Sequence, residues 1–269
     1  MKSVVSADGT RLALDQVGAG PPVVLVGGAL SHRRSNGVAE LAALLAERFT
    51  VVNYDRRGRG DSDDAAAYSV ERELEDLAAV IGWAGGSAHV YAMSSGGVLA
   101  LRAAAAGVAI DRLVAYEPPF VVSHEAHVPP PDFGEKLRRL LADGDRDRAA
   151  EYFLRHGVGA PAPAIAMLRL ARPIWRQLTA VAHTLPYDHA TMNGWLTGTP
   201  LAAEPWVSLP TPTLVIDGAR SPASLKAASA QLAERLPHAR RCTLPGQAHD
   251  PAPEALAPVI TGFLAGERA

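Results

Sequence analysis

The chain has 269 residues, 48% hydrophobic and 20% charged, with a formal net charge of −2. That balance suits a compact globular protein and excludes the broad basic surface that attracts nucleic acid or an anionic membrane. A lone Cys242 excludes an internal disulfide and any zinc-type cysteine spacing. Arginine outnumbers lysine 23 to 3, but the arginines are scattered, so the excess reads as base composition and not as phosphate recognition. Met1 to Asp8 carries no secretory apolar stretch, and no run approaches the roughly 18 residues of a spanning helix. A soluble, cytoplasmic protein is the expectation.

Residues 2–6 and 11–17 flank Asp8-Gly9, a good hairpin turn. Val23-Val24-Leu25-Val26 is a continuous apolar run of the kind buried on both faces of a sheet, and it empties into Gly27-Gly28-Ala29-Leu30. Helix 37–47, strand 50–54, helix 70–83, strand 88–93, helix 95–106 and strand 111–116 then alternate, which is the βαβ rhythm of a parallel sheet. After Glu117-Pro118-Pro119 the rhythm stops. Residues 120–208 hold only helical patterns, among them helix 173–184, and Pro-rich joints such as Val128-Pro129-Pro130-Pro131. Strand character returns at 213–217, followed by helix 223–236, strand 240–244 and helix 252–265. The segments 1–119 and 209–269 therefore read as one core with an all-helical insertion at 120–208.

The most informative stretch is Met93-Ser94-Ser95-Gly96-Gly97, which joins a short apolar strand to an Ala-rich helix. Small residues stand two before (Ala92) and two after (Gly96) Ser94, the context of a nucleophile elbow. Centring the turn on Ser95 would put Met93 in the crowded corner, so Ser94 is the better nucleophile. Asp55-Arg56-Arg57-Gly58-Arg59-Gly60-Asp61-Ser62 follows strand 50–54, and Pro245-Gly246-Gln247-Ala248-His249 follows the last strand. The Arg-Gly-Asp at 59–61 lies inside the first of these turns, which argues against an adhesion motif. With these landmarks in order from Val23 to Leu264, the chain resembles an α/β-hydrolase. The resemblance implies an α/β fold with a mostly parallel eight-stranded sheet, helices on both faces, and a cap formed by the insertion.

A serine hydroxyl needs a base. His249 stands where the family carries its catalytic histidine, and the other eight histidines lack that context. The oxyanion needs two fixed donors: the Ser95 backbone N–H, at a helix start, and by resemblance the N–H of Ala29, after Gly27-Gly28 where many relatives have His-Gly. The acid departs from the family pattern. Relatives place an Asp three residues after the Gly that ends strand 213–217, and here that position is Ser221. Glu117, at the end of strand 111–116, can serve instead. A minority of the superfamily carries its acid there, including lactone hydrolases of the zearalenone type, which this chain also resembles at Met93-Ser94-Ser95-Gly96 and Glu117-Pro118-Pro119. Asp217, or a dyad without an acid, are the alternatives.

The insertion holds 8 of the 15 aromatic residues, in keeping with a small apolar or aromatic substrate. Leu30, Trp175, His183 and Tyr187 are the candidate substrate-binding residues. No metal site, phosphate loop or dinucleotide pattern is present, so no cofactor or metal is expected; the partner is a small-molecule substrate, with no nucleic acid or membrane. The leading reading is a serine esterase or lactonase working through an acyl-enzyme on Ser94. The alternatives are a lyase or cyclase that uses Ser94 and His249 for proton transfer, and a ligand-binding protein on the same fold.

Overall fold

The apolar runs form the middle of one sheet. In the computed structural model, which describes residues 1–65, 67–202 and 208–267, eight strands lie in the order β1-β2-β4-β3-β5-β6-β7-β8. They are β1 (Lys2–Val5), β2 (Arg11–Val17), β3 (Pro22–Val26), β4 (Thr50–Tyr54), β5 (Ala88–Met93), β6 (Ile110–Tyr116), β7 (Thr213–Gly218) and β8 (Ala239–Leu244). The first hairpin and the β2–β4 pair are antiparallel, and every other pairing is parallel. The outer strands β1 and β8 are largely exposed and carry Lys2, Arg240 and Arg241, charges that discourage pairing with another sheet edge.

Side-chain alternation along the buried strands assigns each face its helices. Val24, Val26, Val52 and Val90 pack with α2 (Val70–Ala84), α3 (Ser95–Ala105) and α9 (Ala223–Arg235). Val23, Leu25, Val51 and Tyr91 pack with α1 (Val38–Leu45) and α10 (Pro253–Leu264). Between β6 and β7 come α4 (Phe133–Ala142), α5 (Arg146–Tyr152), α6 (Ala162–Leu170), α7 (Arg172–Ala180) and α8 (Leu185–Thr191). These five have a small core of their own, built on Phe133, Leu137, Trp175 and Leu185. The expected single helix 173–184 is in fact α7 and a tight turn at Ala182–Thr184, with α8 beginning at Leu185. Pro186 falls in the first turn of α8, where its missing N–H leaves no helical bond unmade. Trp206 lies outside the described residues.

The arginine excess turns out to be partly structural. Arg56, Arg57 and Arg59 in the turn after β4 are at most 2% exposed, so the arginine of the Arg-Gly-Asp is buried. Arg57 forks onto Asp76 of α2 with two bonds of 2.7 Å, and Arg33 gathers Asp15, Asp55 and Asp61. Removing one member of such a buried pair costs about 3–5 kcal/mol, because the partner charge is stranded.

Burial lowers the pKa of four histidines, His32, His89, His183 and His189, below the ordinary imidazole value. Below about pH 6.5 the unfolded chain therefore binds more protons than the folded one, and stability falls with pH. The urea midpoint is expected to drop between pH 7.5 and 5.5, before carboxylates begin to titrate. A flat midpoint over that range would show that these imidazoles are as solvated folded as unfolded.

Candidate active site

Among the described residues other than glycine, three have positive φ: Leu30 (59°), Ser94 (55°) and Glu117 (44°). They lie in the segments leaving β3, β5 and β6, three neighbouring strands of the sheet. Each such backbone costs on the order of 1–3 kcal/mol and persists only where its surroundings hold it.

At Ser94 the chain turns from β5 into α3 with φ 55° and ψ −128°. The Ser94 N–H donates to the Tyr116 carbonyl at 2.9 Å, and the Gly97 N–H donates to the Ser94 carbonyl at 2.8 Å. A Cβ on Gly96 would sit 2.6 Å from the Gly27 carbonyl oxygen, and one on Gly28 would sit 2.8 Å from Ser94 Cβ. The loop after β3 is thus flush against the elbow. The Ser95 hydroxyl donates to Asp188 Oδ1 at 2.8 Å.

His249 arrives from the loop after β8. That loop is tied down by the Tyr116 hydroxyl, which donates to the Ala248 carbonyl, and by the Arg220 N–H, which donates to the Gln247 carbonyl at 2.8 Å. His249 Nδ1 lies 2.7 Å from Glu117 Oε2. The other Glu117 oxygen accepts the Gly218 N–H at 2.7 Å. Burial would raise the Glu117 carboxyl, but His249, the Gly218 N–H and the Ser221 hydroxyl together hold it below the usual glutamate range. It is therefore an anion at neutral pH. Asp217 faces β8, where it accepts from Arg241 Nε at 2.6 Å and Thr243 Oγ1 at 2.9 Å. Of the two candidate acids, the structure brings Glu117 to His249 and commits Asp217 elsewhere.

The substrate-facing expectations fare less well. Trp175 is buried in the core of the insertion and its indole N–H donates to Asp147 at 2.6 Å. Leu30 reaches into that same core. Tyr187 stacks on Tyr68 with ring centroids 3.9 Å apart and donates to Asp64, while His183 Nε2 lies 3.8 Å from Asp64. Leu30, His183 and Tyr187 join the insertion to the core and Trp175 packs within the insertion; none of the four lines the cavity beside the elbow. That cavity, of about 80 Å³, is walled by Gly27, Gly28, Met93 and Asp250, with Leu25 and Leu41 among its apolar residues.

Sequence reasoning missed Asp188. This α8 carboxylate is 2% exposed and accepts from Arg56 Nη1 (2.9 Å), Arg59 Nη2 (2.8 Å) and Ser95 Oγ (2.8 Å). Burial would raise it, but the charges of Arg59 and Arg56 and the Ser95 hydroxyl outweigh that and hold it below the usual aspartate range. The available signal was the Arg-rich turn itself, since a buried guanidinium needs an acid from another element.

Residues 23–259 match the model of the alpha/beta hydrolase family. The chain is an α/β-hydrolase. An alpha/beta hydrolase from Sphaerobacter thermophilus is 49% identical and superimposes with a TM-score of 0.91, over 98% of this hydrolase and 100% of that chain. The esterase RhEst1 from Rhodococcus shares 20% identity at a TM-score of 0.72 over 99% of both chains, a likeness of fold. A curated relative, the probable oxidoreductase EphD of Mycobacterium tuberculosis, is 43% identical over 103 residues. That match spans 35% of the hydrolase and 17% of the mycobacterial protein. Family membership supports a hydrolase activity in general.

Proposed function

We propose that the protein is a serine hydrolase that cleaves a carboxylic ester or lactone of a small apolar or aromatic substrate. The observation that carries this reading is the Glu117–His249 hydrogen bond in a chain that also holds Ser94 on a strained strand-to-helix elbow. Residues 120–208 act as the cap over the strand ends, and the apolar cavity beside Gly28 suits a small acyl or alcohol group.

In the first half-reaction His249 Nε2 takes the Ser94 hydroxyl proton as Ser94 Oγ bonds to the substrate carbonyl carbon. The Ala29 and Ser95 amides hold the resulting oxyanion, and the dipole of α3 adds to the second. Collapse breaks the bond to the leaving alkoxide, which receives the proton from His249 and leaves an acyl-enzyme. Water then attacks, its proton passing to His249, and expels Ser94, which recovers that proton. Glu117 keeps the His249 proton on Nδ1 and stabilises the imidazolium in both halves.

The strained elbow favours this reading over simple ligand binding, which would not need the strain. The test is exposure to a fluorophosphonate probe followed by intact mass. Wild type is expected to gain one adduct and Ser94→Ala none. Absence of an adduct on wild type would reject an activated Ser94, and equal labelling of both proteins would place the reactive group elsewhere.

A further inference from the structure

We propose that Arg59 is a positioning residue that holds the oxyanion-hole peptide in its working orientation, and that the helical insertion in turn holds Arg59 through Thr184 and Asp188. The proposal rests on the acyl-transfer reading with Ala29 as an oxyanion donor.

The argument begins with Gly27-Gly28. Two glycines in succession are the least restrained dipeptide a chain can offer, yet an oxyanion donor must be fixed before the reaction starts. In a trans peptide the carbonyl and the following N–H point in opposite directions. The Gly28 carbonyl accepts Arg59 Nη1 at 2.6 Å and the Ser31 hydroxyl at 2.7 Å. The Ala29 N–H of that same peptide therefore points away from the guanidinium. Rotation of the peptide would sacrifice a charge-assisted bond and turn a carbonyl dipole toward the developing oxyanion. The preceding carbonyl, Gly27, is held by Arg56 Nη1 at 3.2 Å.

Arg59 has no freedom of its own. It is 1% exposed; its Nε donates to Thr184 Oγ1 at 3.1 Å and its Nη2 to both Asp188 oxygens at 2.9 and 2.8 Å. Thr184 and Asp188 both belong to the insertion. Asp188 also accepts the hydroxyl of Ser95, the residue whose backbone N–H is the other donor. Beyond Ala29 the loop ends in Leu30, which sits in the insertion's core. One carboxylate on α8 thus reaches both halves of the oxyanion hole, and the hole is complete when the insertion is seated.

The test compares wild type with Arg59→Lys, which keeps the charge but cannot satisfy three partners in a planar fork. Steady-state kinetics on p-nitrophenyl acetate are paired with the Ki of a short alkyl trifluoromethyl ketone, whose hemiketal oxyanion occupies the hole. Arg59→Lys is expected to lose about 10²-fold in kcat, the cost of one oxyanion donor, with KM nearly unchanged and Ki raised by the same factor. A folded variant with lowered Tm but wild-type kcat and Ki would make Arg59 a strut and overturn the proposal. Should Arg59→Lys not fold, Thr184→Val removes the oxygen that accepts Arg59 Nε and loosens the guanidinium that holds the Gly28 carbonyl. It is expected to cost about tenfold in both readouts, and wild-type values in that folded variant overturn the proposal. Wild type that neither hydrolyses the ester nor binds the ketone rejects the acyl-transfer reading itself, a distinguishable failure.

Discussion

Ser94→Ala is expected to lower turnover of an activated ester by about 10³-fold or more while the protein stays folded. The size follows from what the change removes: the atom that bonds to the carbonyl carbon, with nothing nearby able to replace it. Ser95→Ala is the informative partner. Its hydroxyl is committed to Asp188, which retains Arg56 and Arg59 when that bond is lost. The Ser95 contribution to catalysis is its backbone N–H, which alanine keeps. Most activity is therefore expected to survive in Ser95→Ala, with a somewhat lower Tm. Initial rates together with thermal melts of both variants decide the matter. Equal loss in two well-folded proteins would move the nucleophile to Ser95 and shift the elbow by one residue.

The sheet was legible because its strands announce themselves. Val23–Val26 and Thr50–Tyr54 are apolar runs ending in glycine or charge, and both become interior parallel strands. The elbow was legible for steric reasons: Gly96 has no room for a side chain against the Gly27 carbonyl. The contact of Glu117 with His249 was legible through chemistry, because Ser221 cannot carry the negative charge an imidazolium needs. What lay beyond the sequence were contacts between distant elements. Tyr187 and His183 sit at positions that a pocket would also favour, but Asp64 and Tyr68, more than a hundred residues earlier, draw them into the seam. Asp188 shows the same limit from the other side. A lone aspartate on a short helix says nothing until the turn carrying Arg56 and Arg59 folds beneath it.

Glu117→Gln should be nearly as severe as loss of the nucleophile, for a different reason. Glutamine preserves the volume and can still accept the Gly218 N–H. Toward His249, however, its amide can present hydrogens where the carboxylate presented a lone pair at 2.7 Å. Nδ1 then accepts instead of donating, so the imidazole proton moves to Nε2. A base protonated on the nitrogen that must receive the Ser94 proton is in the wrong tautomer, a change worth about 10⁴-fold in kcat in triads of this kind. The lost charge also removes the partner of the imidazolium. Asp217→Asn is the control, since Asp217 spends both oxygens on Arg241 and Thr243; its kcat is expected to stay within a few-fold of wild type while its stability falls, because a buried carboxylate's ion pair is lost. Rates of both variants across pH 6–9, read beside their melting curves, separate the two carboxylates. A near-normal Glu117→Gln beside an inactive, folded Asp217→Asn would transfer the acid role to Asp217 on β7.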